Sequence, residues 1–313
     1  MKAIAYNAFG TLDVIHQAEL PVPALESGHV LVKVQASSVN VIDNRIRAGK
    51  MGLLVDKKFP KIPGADLAGI VTAVGADVTN FKIGDTVFGA VNPFKGGAFA
   101  EVARVPAKQL AVKPASLPME EAASLPVAGV AALTALRDLG KVKSGDKVLI
   151  HGGSGAVGLY AIQIAKRFGA HVTAVAGTSG IEAMKAAGAD IVIDYRRQDG
   201  GRFDGKFNTI LNASGALPFA KAKAFLEPRG VLVEPSPTIP LVIGSKLANL
   251  FRGRQHLPLM AIPNRADLDL LARWAADGSL RTAIAQTYPL SEAHDALGAM
   301  EQGGVVGKVV IMV

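Results

Sequence analysis

The sequence predicts an α/β chain of two domains, a doubly wound parallel sheet set into a β-rich domain. Three observations carry that expectation. Short Val/Ile-rich runs broken by Gly, Pro and Asp fill the first third of the chain, regular strand–helix alternation follows, and the tail reads helix, helix, strand. With 313 residues, 50% hydrophobic and 19% charged, the chain can bury a large core, and its composition argues against disorder.

In the first third, strand-like runs are expected within residues 1–10, 30–34 and 69–74 and over Thr86–Ala90. Near Pro118 the chain turns rich in Ala and Leu, with Glu120 and Glu121 at the start, and reads as helix to Leu139. Lys147–His151 is a short apolar strand, residues 152–158 are glycine-rich, and residues 159–168 are helical. Val157, Ala161, Ile164, Ala165 and Phe168 form one apolar stripe there, and Gly169 is a natural stop. Strands are expected at His171–Ala176, 190–195, 209–212 and 230–233, with helices at 181–187 and 218–226 between some of them. Helices at Arg265–Ala276 and 291–302 and a strand at 308–313 complete the chain. The reading is a β-rich domain of residues 1–120, completed by 264–313, around an α/β domain of 121–263, with a cleft expected between them.

Composition narrows the chemistry. The chain has no cysteine, which removes disulfides, thiolate catalysis and thiolate-bound zinc or iron–sulfur sites. No signal peptide is visible, and the longest apolar stretch, 125–136, is too short to span a bilayer, so a cytoplasmic protein without a membrane span is expected. The net charge is +8, but Lys and Arg are scattered in small groups such as Lys57/Lys58, Lys141/Lys143 and Arg196/Arg197. That pattern reads as a basic solvated surface that favours an anionic cofactor, and nucleic acid is not expected as a partner.

Gly153-Ser154-Gly155-Ala156-Val157-Gly158 fits G-x-G-x-x-G, and it follows an apolar strand and opens a striped helix, the context in which that pattern means a dinucleotide loop. The glycines allow a tight turn and let backbone amides at the helix start approach a pyrophosphate. The end of the next strand carries Ala176-Gly177-Thr178-Ser179, where an NAD site usually has an acid. Thr178 and Ser179 can donate to a 2′-phosphate, and Tyr195 and Arg196 add a phenol and a guanidinium after the third strand. NADPH is therefore expected over NADH. Glu182 is the objection, since it is close enough in sequence to reach a ribose; its alternative is a solvated helix residue.

Further motifs bear a resemblance. Ser38-Val39-Asn40-Val41-Ile42-Asp43 with Arg47 and Gly49, Pro63-Gly64-Ala65-Asp66-Leu67-Ala68-Gly69, Phe81-Lys82-Ile83-Gly84-Asp85-Thr86-Val87, Gly96-Gly97-Ala98-Phe99-Ala100-Glu101, Asp194-Tyr195 and Gly307-Lys308-Val309-Val310 occur in order. Over essentially its full length the chain resembles the quinone oxidoreductase-like, zinc-independent branch of the medium-chain dehydrogenase/reductase superfamily. The resemblance implies a GroES-like β-barrel domain plus a Rossmann domain, and a homodimer. In zinc-dependent relatives the segment after Pro63 reads P-G-H-E and its His helps hold zinc; here Ala65 and Asp66 stand there, and no zinc is expected. The resemblance sets Asn40 beside the nicotinamide and Arg45 toward the cofactor. Asp43 and Arg47 fall near the acceptor pocket or pair with each other. Tyr195 is placed on the 2′-phosphate, Asn212 and Ser214 at the nicotinamide ribose, and Lys308 near the cofactor or at the surface. Two departures are Gly129-Val130-Ala131-Ala132, where many relatives have G-L-T-A, and Met51, where many have Tyr.

The expected activity is hydride transfer from NADPH to a quinone or an enone, acceptors that delocalise the incoming charge and need a Lewis acid less than a plain ketone does. Asn40 is the first candidate to donate to the developing oxyanion and Arg47 the second; water or a cofactor hydroxyl would give the last proton. The rivals are an NADPH-binding structural or regulatory protein with little turnover, and an alcohol dehydrogenase-like activity. Acceptor choice is expected to depend on loops at 51–59, 93–95 and 249–260.

Overall fold

The structure, a computed structural model, describes residues 1–197, 205–235 and 253–313; residues 249–252 of the last loop named above lie outside that description. Two compact units form. One comprises residues 1–127, 262–278 and 284–313, the other residues 128–261 and 279–283.

In the first unit β1 (Lys2–Ala5) pairs antiparallel with β2 (His16–Glu19). Among the described residues a larger sheet is built from β3 (His29–Ser38), β4 (Asp66–Val74), β5 (Thr86–Ala90), β6 (Val102–Pro106) and β7 (Leu110–Val112). Two strands from the far end of the chain, Ile284–Pro289 and Lys308–Met312, join it beside β3. Strand β3 alternates as a half-buried strand should: Val30, Val32 and Val34 face inward while Lys33 is exposed. Those valines pack with Leu67, Val71, Val87, Ala103, Val105 and Leu110 into one core. A second core joins Ile4, Val39 and Phe99 to Ala293, Ala296 and Leu297 of the helix Ala293–Gln302 and to Val309 and Ile311. The tail thus completes the amino-terminal unit.

The short helix α1 (Val41–Arg47) is absent from the sequence expectation. Seven residues with Asp, Asn and Arg among them show too little apolar period to announce a helix. The helix expected from 118 to 139 is divided. α2 (Met119–Ser124) ends before Leu125, α3 starts at Pro126 and runs to Leu133, and a π-helical stretch covers Thr134–Leu139. Proline lacks the amide hydrogen that would continue α2, and its fixed φ suits a first helical position.

The second unit holds β8 (Lys147–His151), α4 (Ala156–Arg167), β9 (His171–Ala176), α5 (Ile181–Ala186), β10 (Ile191–Asp194), β11 (Phe207–Asn212), α6 (Phe219–Ala222), β12 (Leu226–Glu234) and β13 (Gln255–Pro258). Its strands are all parallel in the order β10-β9-β8-β11-β12-β13. This is the doubly wound order 3-2-1-4-5-6, whose direction reverses between the first and fourth strands. The reversal lies between β8 and β11. Ala161, Ile164 and Ala165 of the expected stripe are buried, whereas Val157 and Phe168 are half-buried; Leu159, Tyr160 and Ile162 widen the buried face. The helix expected at 218–226 stops at Ala222, and β12 begins at Leu226, with a register shift against β11.

Leu149 is fully buried in the second unit's core with Val175, Ile210 and Leu232. Leu149→Ala is expected to lower unfolding free energy by about 2–5 kcal/mol in denaturant titration, through lost transfer energy and the cavity left behind. Ile83→Ala, at an exposed site, should change it by less than about 0.5 kcal/mol.

Candidate active site

The glycine loop sits between β8 and α4, at the reversal of strand order. Close backbone approach explains its last glycine: a β-carbon on Gly158 would lie 2.3 Å from the Gly152 carbonyl oxygen. Gly155, the N-cap of α4, differs, because a β-carbon there would meet only the Gly152 oxygen at 3.8 Å. The surface over Gly155 is therefore open, while the first amides of α4 have no partner within the helix. Backbone donors, a helix-dipole positive end and room for a substituent fit the pyrophosphate of a dinucleotide.

At the end of β9, Gly177 is covered by Tyr195 and Arg196. A β-carbon on Gly177 would stand 3.3 Å from both the Tyr195 hydroxyl and Arg196 Nε. The guanidinium lies 5.9 Å from the centre of the Tyr195 ring. The sequence expectation grouped these residues, but it gave the Asp194 carboxylate no part in the group. Parallel pairing sets Asp194 opposite Ala176, so the acid absent from the end of β9 arrives from β10. The Thr178 hydroxyl donates to Asp194 Oδ2 at 2.7 Å and the Arg196 amide donates to Oδ1 at 2.9 Å. These hydrogen bonds, Thr178 foremost, hold the Asp194 carboxyl below the usual carboxylate range. Thr178 is thus committed to Asp194, which corrects its expected role as a free phosphate donor. Ser179 and Arg196 stay exposed. Glu182 pairs with Lys185 at 2.9 Å on the surface of α5, the solvated alternative.

A hydrogen-bonded chain crosses the ends of β8, β11 and β12. His151 Nδ1 lies 2.6 Å from Ser214 Oγ, which is 3.3 Å from Asn212 Oδ1, and Asn212 Nδ2 donates to Glu234 Oε2 at 2.7 Å. Burial lowers the His151 pKa, which favours the neutral ring. Asn212 is buried and also donates to the Leu217 carbonyl and accepts from the Leu217 amide. Its amide closes the turn after β11, so it does not offer the free ribose contact expected of it; Ser214 beside it is exposed. His151 is a residue that sequence reasoning passed over, although it ends the strand that enters the glycine loop.

The first unit holds a buried polar cluster. Asp66, fully buried at the start of β4, accepts from four donors: Ser38 Oγ at 2.8 Å, Asn40 Nδ2 at 2.9 Å and Lys308 Nζ at 3.1 Å on Oδ2, and the Val127 amide at 2.8 Å on Oδ1. Lys308 also donates to Asn40 Oδ1 at 2.6 Å. Strand register builds the group. Ser38 pairs with Asp66 across β3–β4 and with Val310 on its other side, and continuing that ladder by two residues brings Asn40 opposite Lys308. Lys308 is 2% exposed, so the surface alternative fails for it.

Asp43 is the next layer. Its carboxylate accepts from the Asn40 amide at 2.7 Å and the Gly64 amide at 3.2 Å, capping α1 and pinning the turn before β4. Gly64 is required there: its φ is +88°, and a β-carbon would sit 2.2 Å from the Phe99 ring. Burial pushes the Asp43 carboxyl up to about 7; the Asn40 amide, Lys308 and Gly64 pull it down and Asp66 pushes it up, and burial wins. Burial likewise pushes the Tyr6 phenol up to about 12. The Asp43–Arg47 ion pair does not form. Arg47, 1% exposed, pairs with Glu301 at 3.0 Å and donates to the Gly10 carbonyl at 2.6 Å, which corrects its expected place as an oxyanion donor. A guanidinium so engaged ties α1 to the last helix. Arg45, on the opposite side of α1, is exposed. Among the described residues no three His, Asp or Glu side chains gather as metal ligands do, and no helix is long and apolar enough to cross a membrane.

Both units have counterparts. The family model for the alcohol dehydrogenase GroES-like domain matches residues 26–115, and that for zinc-binding dehydrogenase matches residues 187–311. The chain is 34% identical, over 99% of its length and 98% of the relative's, to the chloroplast envelope quinone oxidoreductase homolog of Arabidopsis thaliana. It is 31% identical, over 99% of its length and 79% of the relative's, to the NADPH-dependent alkenal/one oxidoreductase of the same plant's chloroplast. The solved structure of the quinone oxidoreductase from Coxiella burnetii matches all of this chain and 99% of its own, with a TM-score of 0.92 and 33% identity. The two units are thus the GroES-like and Rossmann domains of an oxidoreductase. The chain belongs to the quinone oxidoreductase-like branch of the medium-chain dehydrogenase/reductase superfamily.

Asp43 generates a pH prediction. A folded-state pKa raised from 3.8 to about 7 means that the native state holds this proton more tightly than the unfolded chain. Its contribution to stability is complete below 3.8 and lost as pH rises through about 7. Denaturant titrations across that window should show this loss in the wild type and a flatter profile in Asp43→Asn. An equal slope in both would assign the dependence to other groups.

Proposed function

We propose that the chain is an NADPH-dependent reductase that passes a hydride to a quinone or an α,β-unsaturated carbonyl without a metal ion. The observation that carries this reading is the glycine loop at the strand-order reversal, open over Gly155 at the start of α4. The names of the relatives support the acceptor class, a quinone in one case and an alkenal or enone in another.

The amides of Ser154 and Ala156–Gly158 would hold the pyrophosphate, and Ser179, Tyr195 and Arg196 the 2′-phosphate. Ser214, exposed although its hydroxyl is bonded to His151 and Asn212, and the exposed Arg45 would serve the rest of the coenzyme. Asp194, held ionised by the bonds it accepts from the Thr178 hydroxyl and the Arg196 amide, weakens the phosphate preference. When bound, the dihydronicotinamide supplies the hydride. Asn40 would donate to the oxygen of the acceptor as charge develops there, a role that needs a donor fixed before the reaction starts. Asp43 shapes the turn that carries Asn40. The four donors on Asp66 leave its oxygens little capacity to bind a cation, which supports the metal-free reading. A cytoplasmic homodimer belongs to the same proposal.

Purified protein is expected to consume NADPH with at least one member of a quinone and enone panel. Gly155→Asp, which puts a carboxylate into the open space, should abolish both turnover and coenzyme binding by calorimetry. Coenzyme binding without consumption of NADPH by any acceptor would favour a binding protein instead. Arg196→Ala should raise KM for NADPH about tenfold or more while leaving KM for NADH nearly unchanged, as expected for loss of a charge-assisted bond.

A further inference from the structure

We infer that Lys308 and Asp66 are positioning residues for Asn40: together they lock its side-chain amide in one orientation, with a single N–H left for the acceptor. The inference rests on the reading that Asn40 serves the acceptor's oxygen.

The lock follows from donor and acceptor chemistry. An ammonium has donors only, so the Asn40 atom 2.6 Å from Lys308 Nζ must be the carbonyl oxygen Oδ1. The atom 2.9 Å from Asp66 Oδ2 must then be Nδ2. Rotating the amide by half a turn would press N–H against the ammonium and oxygen against the carboxylate, two repulsions with little solvent to relieve them. Asn40, Lys308 and Asp66 are only 8%, 2% and 0% exposed. The lock is itself anchored, since Ser38 Oγ and the Val127 amide fasten the carboxylate from β3 and from the segment after α2. One Nδ2 hydrogen goes to Asp66. For the other, the acceptor within reach is the Ser38 carbonyl at 3.5 Å, too long for a strong bond.

An amide free to rotate would present its oxygen to a developing oxyanion part of the time. The locked amide presents N–H only. The pair should therefore act on kcat through alignment and leave coenzyme affinity alone.

The test is a double-mutant cycle on the full chain with the best quinone or enone acceptor. Lys308→Met is expected to lower kcat on the order of a hundredfold, the scale for loss of alignment, with KM for NADPH unchanged. Asn40→Ala should lower it comparably, and the double variant should lose no more than either alone. Lys308→Arg, which keeps the charge, should recover part of the loss. In coenzyme-free protein the Asn40 side-chain NH2 pair should be a slowly exchanging NMR signal that Lys308→Met abolishes. If Lys308→Met does not fold, Asp66→Asn/Lys308→Met removes both charges together and is expected to reproduce the fall in kcat. Wild-type kcat in a folded variant, losses that multiply independently in the cycle, or a rise in KM for NADPH alone would each overturn the inference. A wild type that turns over no acceptor overturns the functional reading, whereas the NMR signal still decides whether the lock exists.

Discussion

A carboxylate withdrawn from water imposes the first unit's design. Asp66 has no exposed surface, and a buried charge of this kind is tolerated only when its oxygens are met by donors. Those donors come from four places: the end of β3, the cap of α1, the segment after α2 and the start of the last strand. The antiparallel ladder around β3 is in the one register that delivers Ser38 and Lys308 to the same carboxylate. A slip of one residue would turn these side chains to the other face. Removing one partner of such a pair costs about 3–5 kcal/mol, because the other charge stays buried.

Asn40 inherits its geometry from that requirement. It caps α1 by its place in the backbone, yet its side chain turns to Asp66 and Lys308, while Asp43 reaches back to its amide. The contacts that satisfy the buried carboxylate are also the ones that fix the proposed donor. In the second unit the constraint is one of space. Gly158 is needed where the helix crosses the backbone of the loop, and Gly155 stands where nothing crosses it, so one glycine serves packing and the other leaves a surface for a ligand.

Local patterns carried much of the fold. Strand β8, the glycine loop, α4 and β9 lie contiguous in sequence, and each supplies its own signal: an apolar run, glycines at fixed offsets and a striped helix ended by Gly169. Helix α1 escaped because its seven residues have no stripe to show. Arg47 escaped because its partner, Glu301, belongs to the last helix and nothing near it in sequence points there. Asp194 escaped for a related reason: the acid was sought at the end of β9, and strand pairing delivered it from β10.

The strand–helix alternation, the glycine loop, the lack of thiolate ligands and the superfamily were legible before any contact was known, because these reside in short spacings and in composition. Which polar side chains are spent on one another depends instead on long-range pairing. Lys308 could be called a coenzyme contact or a surface residue until the sheet register turned it inward to Asn40 and Asp66. Thr178, Asn212 and Arg47 looked like free donors until their acceptors came from other elements. Hydrogen bonds saturate: a donor committed to a buried partner is no longer available to a ligand, and that commitment is made by residues distant along the chain.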